Sequence, residues 1–292
     1  MTKHIFWISS YPKSGNTLLR AIICSLFFSK DGKFKFDQLQ HSSQFEKRDR
    51  LNVIKRINNE DFFNLDQLKI LSKYWLTLQE KENIKIKEGF GFMKSHSSYV
   101  AISNNWFTNS NNTAGYIYIL RDPRDVAISW AKHTNLSYDD TIDFMINFNS
   151  CIEWAQTNSE LPDHIKPRAF LSSWDEHVLS WAFNNLSVPK LILKYEDLVY
   201  KKKEVLNAIV GFFKKNFNIE FNLTNTKINN IIKTTDFEEL RSQEKKYGFV
   251  EATSGAFFRE GKKNQWKKEL NTQQINKLEN KFRDFMNKFG YY

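Results

Sequence analysis

Apolar and polar positions come in short blocks along this chain. Residues 4–9 (HIFWIS) form an apolar run stopped by Ser10, Tyr11 and Pro12, the pattern of a strand buried on both faces. Residues 17–28 (TLLRAIICSLFF) contain no Gly or Pro and read as a buried helix. The chain therefore opens strand, loop, helix. Residues 30–88 are polar, rich in Asn and Lys, and ambiguous in period, with helix expected within 66–78. Residues 89–94 (GFGFMK) read as a second strand ending at Ser95 and His96, and 116–120 (YIYIL) as the clearest core strand. Arg121, Asp122 and Pro123 stop that strand, and a helix follows over 125–133 with Asp122 or Pro123 in its first turn. Long helices are expected over 139–156 and 173–183, a short strand at 191–193, and amphipathic helices over 203–215 and 272–289. Strands that alternate with helices indicate an α/β fold, a central mostly parallel sheet with helices on both faces. With no repeat and no linker, residues 1–292 read as a single domain.

Composition narrows the function classes. Hydrophobic residues are 41% of the chain and aromatics 15%, which excludes a disordered protein. The net charge of +10 suits an anionic ligand, an acidic acceptor, a nucleic acid or a membrane surface, without choosing among them. Lys201, Lys202 and Lys203 read as a solvated helix face. Cys24 and Cys151 read as buried free thiols compatible with a reducing compartment. No apolar stretch of membrane-spanning length and no leader are visible, because a cleaved leader would remove the first strand. A soluble, cytoplasmic protein is expected.

The candidate chemistry starts in the first loop. Lys13, Ser14, Gly15, Asn16 and Thr17 lie between a strand and a helix. A phosphate cradle needs converging backbone amides, a Gly that allows close approach, and a cation, and all are present. Lys13 precedes Gly15, so this is not the Walker A order. Arg121 stands at the carboxyl end of the core strand, where open α/β sheets bind ligands, and Ser129 lies eight residues on. By spacing alone each element has an ordinary alternative, a βα turn or a helix start with a surface Arg.

Together these stretches resemble the donor-binding motifs of the cytosolic sulfotransferases, with their P-loop-like fold. The family's loop runs Tyr-Pro-Lys-Ser-Gly-Thr-Thr-Trp, and residues 11–18 read YPKSGNTL. The resemblance implies 3′-phosphoadenosine 5′-phosphosulfate (PAPS) as co-substrate. It implies that Lys13 meets the 5′-phosphate and bridging oxygen, and that Ser14, Gly15, Asn16 and Thr17 hold the phosphate. It also implies that Arg121 and Ser129 hold the 3′-phosphate. Lys94, Ser95 and His96 resemble the family's Lys-Thr-His and place His96 at the general base. Tyr195 inherits an approach to the adenine, Phe237 a stacking role, and Arg259 and Gly261 closure over the 3′-phosphate. Leu18 stands where the family often has Trp, Glu260 replaces a Lys, and the family's dimer motif is not matched after Trp266.

The expected reaction is in-line sulfuryl transfer without a metal. His96 would deprotonate the acceptor, Lys13 would stabilise the leaving phosphate, and Lys94 would steady the sulfuryl oxygens. His177 sits in a helical aromatic setting that favours packing or a pocket wall. A P-loop small-molecule kinase is one rival, set against by the Walker A mismatch. A module binding an anionic polymer is another, set against by the lack of a basic aromatic stripe. Aromatic residues over 74–107 and 144–183 suggest an apolar pocket for a phenol, alcohol or lipid, while the charge equally admits an acidic sugar or peptide. No nucleic-acid partner is expected, and the acceptor and oligomeric state stay open.

Overall fold

The computed structural model describes residues 3–86, 88–153, 166–252 and 255–292. A five-stranded sheet runs in the order Ser42–Gln44, Gly91–Ser95, Ile5–Ser10, Thr113–Leu120, Lys190–Lys194. It is a central parallel sheet flanked by helices, as the alternating blocks imply. Ile5–Ser10 pairs in parallel with Gly91–Ser95, Ile5 opposite Gly91 through Ser9 opposite Ser95. Every residue of Ile5–Ser10 and of Thr113–Leu120 is buried, which is why both read as unbroken apolar runs.

The chain divides into two compact units, one of Met1–Tyr11, Ser43–Tyr118 and Asn147–Lys190, the other of Pro12–Ser42, Ile119–Ile146 and Leu191–Tyr292. The first has an aromatic core. Trp7 packs edge-on against Phe45, with ring centres 5.3 Å apart, and donates from Nε1 to Thr113 Oγ1 at 3.2 Å. Trp181 is fully buried and donates to the Ser97 carbonyl at 2.9 Å. Around this core lie short helices such as Arg48–Ile57 and Trp75–Leu78, and the helix Trp174–Ala182. The second unit is built on the helix Asn16–Phe28, which is apolar and buried around most of its girth. The helices Pro123–Thr134, Lys202–Phe217, Phe237–Tyr247 and Thr272–Lys288 belong to the same unit.

Three expectations need correction. The helix expected over 139–156 stops at Ile146. Asn147 then accepts from the Asn149 amide through its side chain at 2.9 Å, a local turn that competes with the helix. Cys151–Glu153 leaves as a strand paired with Arg168–Phe170, and 154–156 lie outside the described residues. Cys151 is accordingly half-buried, whereas Cys24 is buried as expected. Lys202 is not on a solvated face: it is 8% exposed, and its ammonium donates to the Thr235 carbonyl at 2.9 Å. A buried ammonium needs acceptors, and the end of the helix Asn225–Thr234 supplies them.

Candidate active site

In the second unit, the loop after Ser10 enters the helix Asn16–Phe28 through two left-handed residues, Lys13 at φ 64° and Gly15 at φ 101°. Gly15 is required on two counts. Its φ suits glycine, and a Cβ there would lie 2.5 Å from the Tyr195 ring. Lys13 has no such excuse, and a non-glycine residue held at positive φ marks a loop whose shape is imposed by its surroundings. The helix start carries no side-chain cap and no acidic residue in its first turn. The Ser14 hydroxyl is fully buried and has no hydrogen-bond partner among the described residues. Uncapped amides, an unmatched buried hydroxyl and a helix dipole together form an anion-seeking surface.

Arginines reinforce it. Arg121 donates to the Lys13 carbonyl at 3.1 Å and to the Lys262 carbonyl at 3.4 Å, with its guanidinium 4.2 Å from the Tyr195 ring centre. Its Nε is buried with no partner among the described residues. Arg259 donates to the carbonyls of Ser129 and Lys132, each at 3.0 Å. Burial first, and then the like charge of Arg121, hold the Arg259 guanidinium below its ordinary range. Two mutually repelling guanidiniums at one end of a strand fit a multiply charged anion. Asp125 accepts from the amides of Asn264 at 2.7 Å and Trp266 at 3.2 Å, which ties the 261–266 segment to the helix Pro123–Thr134. Gly261, at φ 65°, lies so close to Phe237 that a Cβ would sit 2.3 Å from its ring. Tyr195 is buried, and burial pushes its phenol up.

Two groups already reach into this region. The Lys13 ammonium lies 4.1 Å over the Phe257 ring. Glu251 accepts from the Thr17 hydroxyl at 3.1 Å and pairs with Arg20 at 2.5 Å.

In the first unit, His96 lies just past the end of Gly91–Ser95 and is 8% exposed. Its Nδ1 is 2.8 Å from the Ser10 carbonyl oxygen. A carbonyl only accepts, so Nδ1 carries the proton and Nε2 keeps the basic lone pair. Lys94 is buried on the same strand, two residues earlier. His177 is fully buried, with Nε2 2.9 Å from the His96 carbonyl and Nδ1 2.9 Å from the Tyr118 hydroxyl. Burial pushes its imidazole down from 6.5 to about 4, so it is neutral and structural at ordinary pH, as its helical setting suggested.

The sulfotransferase domain family matches residues 3–290. The chain belongs to that family. It is a sulfotransferase enzyme. It is similar to luciferin sulfotransferase of Photinus pyralis, 23% identical over 93% of this chain and 69% of that protein. It is also similar to amine sulfotransferase of Oryctolagus cuniculus, 22% identical over 97% of this chain and 81% of the relative. Among solved structures it resembles retinol dehydratase in a complex with retinol and PAP, with TM-score 0.62 and 17% identity over 98% of this chain and 82% of that one. A mouse sulfotransferase complexed with PAP gives TM-score 0.57 and 16% identity over 98% and 84%.

Sequence reasoning about this sulfotransferase did not find Glu251, the Ser10 carbonyl or the Tyr118–His177 pair. Glu251 left a signal: a buried Arg20 inside an apolar helix calls for an acidic partner. The carbonyl and the aromatic pair left none, because their partners are 59 to 86 positions apart. No described helix is long and apolar enough to cross a membrane.

Proposed function

We propose that the protein transfers a sulfuryl group from PAPS to a hydroxyl or amine of a small-molecule, lipid or sugar acceptor. The observation that carries this reading is the buried, unmatched Ser14 hydroxyl at an uncapped helix start. Arg121 binds that loop's backbone, and its like charge, after burial, holds the Arg259 guanidinium below its ordinary range. PAP in the similar solved structures supports the same donor.

In this reading Lys13, Ser14, Gly15, Asn16 and Thr17 hold the 5′ end of the donor, and Arg121, Ser129, Arg259 and Gly261 hold the 3′-phosphate. Tyr195 and Phe237 flank the base. PAPS supplies the sulfuryl group on a phosphate leaving group. His96 takes the acceptor's proton on Nε2 while Nδ1 keeps its own proton and donates it to the Ser10 carbonyl. The acceptor heteroatom bonds to sulfur as the bond from sulfur to the bridging oxygen breaks. Lys13 leaves Phe257 to meet the charge that gathers on that oxygen, and Lys94 steadies the sulfuryl oxygens. These cations meet the developing charge without a metal. The same reading carries a cytoplasmic location.

The test is calorimetric titration of the protein with PAP and, separately, with ATP and Mg²⁺. PAP should bind and ATP should bind far more weakly. Binding of ATP with Mg²⁺ but not PAP would convert the reading to a kinase.

A further inference from the structure

We propose that Glu46 is a positioning residue for sulfuryl transfer, which by holding the hydroxyls of Ser95 and Ser97 aims the His96 ring between them. The role presupposes the transfer reading above, in which His96 is the base. Glu46 is 8% exposed and follows the strand Ser42–Gln44, which lies beside Gly91–Ser95 in the sheet. The Phe45 amide donates to the Lys94 carbonyl at 2.8 Å, so the next residue comes level with the end of that strand. There Glu46 Oε1 accepts from the hydroxyls of Ser95 at 2.6 Å and Ser97 at 2.9 Å. Ser95 Oγ in turn accepts from the Ser97 amide at 3.0 Å, which ties the two serines to each other as well. In extended backbone, successive side chains point to opposite sides. Two serines drawn to one side send the residue between them to the other. The His96 ring accordingly turns away from Glu46 to the Ser10 carbonyl, 2.8 Å from Nδ1.

The chemistry of Glu46 exceeds what packing alone requires. A neutral amide oxygen could accept from both hydroxyls and would cost less to bury than a carboxylate. Glu46 Oε2 is buried with no hydrogen-bond partner among the described residues. Burial pushes the carboxyl up, and the attraction of Lys94 is among the influences that pull it back. One oxygen thus holds the neighbours of the base, while the charge acts on a lysine of the same machinery. The backbone here does not depend on Glu46. The His96 carbonyl is held by His177 at 2.9 Å and the Ser97 carbonyl by Trp181 Nε1 at 2.9 Å. Loss of the Glu46 acceptor should therefore loosen the aim of the ring and leave the fold in place.

The full chain is compared with Glu46→Gln, whose amide oxygen still accepts from both hydroxyls, and with Glu46→Met, which accepts from neither. Glu46→Met should lower kcat about tenfold to a hundredfold, the scale of a small misplacement of a reacting group, with KM for PAPS and PAP affinity unchanged. Glu46→Gln should lose less. Combined with His96→Ala, Glu46→Met should cost less than it costs alone, because the ring it aims is gone. Ser95→Ala joined to Ser97→Ala removes the donors and leaves Glu46, so it should reproduce the loss, and it stands in for Glu46→Met if that variant does not fold. Nitrogen NMR spectra of labelled imidazoles read the aim of the ring without turnover. The His96 signals, identified by their disappearance in His96→Ala, should show the Nδ1–H tautomer in the unaltered chain and draw together in Glu46→Met as the other tautomer gains. Absence of transfer in the unaltered chain would sink the transfer reading, and the spectra would still decide whether Glu46 aims the ring. The proposal is overturned if Glu46→Met keeps full kcat, if kcat and PAP affinity fall together, if Glu46→Gln is as slow as Glu46→Met, if the losses of Glu46→Met and His96→Ala simply multiply, or if the His96 signals do not move.

Discussion

Around residues 13–17 the polar groups are held by makeshift partners: the Lys13 ammonium lies over an aromatic ring, Thr17 donates to Glu251, and Ser14 donates to nothing described. Around His96 the matching is complete in kind. The Ser10 carbonyl accepts a hydrogen bond from His96 Nδ1, and the His96 carbonyl accepts one from His177 Nε2, which is in turn held by Tyr118. The first region is arranged to exchange its partners for an anion. The second is arranged to keep one tautomer in one place. A phosphate site can be loose in its side chains because backbone amides do much of the binding, whereas a base works only if its lone pair is aimed.

The comparison breaks first at His96. His96→Ala should lower turnover by about 10²- to 10⁴-fold, the usual contribution of a positioned base, while PAP affinity stays within error. Steady-state rates and a PAP titration check both halves. Equal losses in both would mean that His96 serves the fold and not the reaction.

The next effect is on stability against pH. His177 is neutral and buried in the folded protein, with its imidazole at about 4, and protonates near 6.5 once unfolded. Between those values the unfolded chain binds the extra proton, so stability is full above about pH 6.5 and falls as pH drops toward 4. The loss over that window is about 3 kcal/mol. Denaturation midpoints from pH 7 to 4 should show it, and His177→Gln should flatten the slope. An unchanged slope would place the acid sensitivity elsewhere.

Arg121→Met should weaken PAP binding by about ten- to a hundredfold, through loss of charge-assisted hydrogen bonds, and should reduce the salt dependence of binding. The smallest effect has the opposite sign. Glu251→Gln removes a negative charge from Thr17 and Arg20, so PAP affinity should rise about threefold while the melting temperature falls, because Arg20 is 3% exposed and loses its ion pair. A variant that binds PAP more weakly would show that Glu251 helps to hold the nucleotide.

The two regions were also unequally legible. The phosphate loop is contiguous, and its Gly, Lys and hydroxyl residues mark it by chemistry that needs no distant partner. The strands Ile5–Ser10 and Thr113–Leu120 were legible for a similar reason, since burial on both faces leaves an unbroken apolar run. The surroundings of His96 come from residues 10, 118 and 177, which only the folded topology brings together. The overlong helix over 139–156 failed because an Asn side chain at 147 offers the backbone a turn that periodicity does not register. Lys202 failed because a Lys run looks solvated until a helix end arrives to cover it.

Transfer itself is the decisive assay. The protein is incubated with sulfur-labelled PAPS and a panel of phenols, alcohols, amines and sugars, and products are read by mass and label. The account predicts label on at least one acceptor, formed in step with PAP and lost in His96→Ala. Binding of PAP with no labelled product from any acceptor class, or labelled product formed equally fast by His96→Ala, would contradict it.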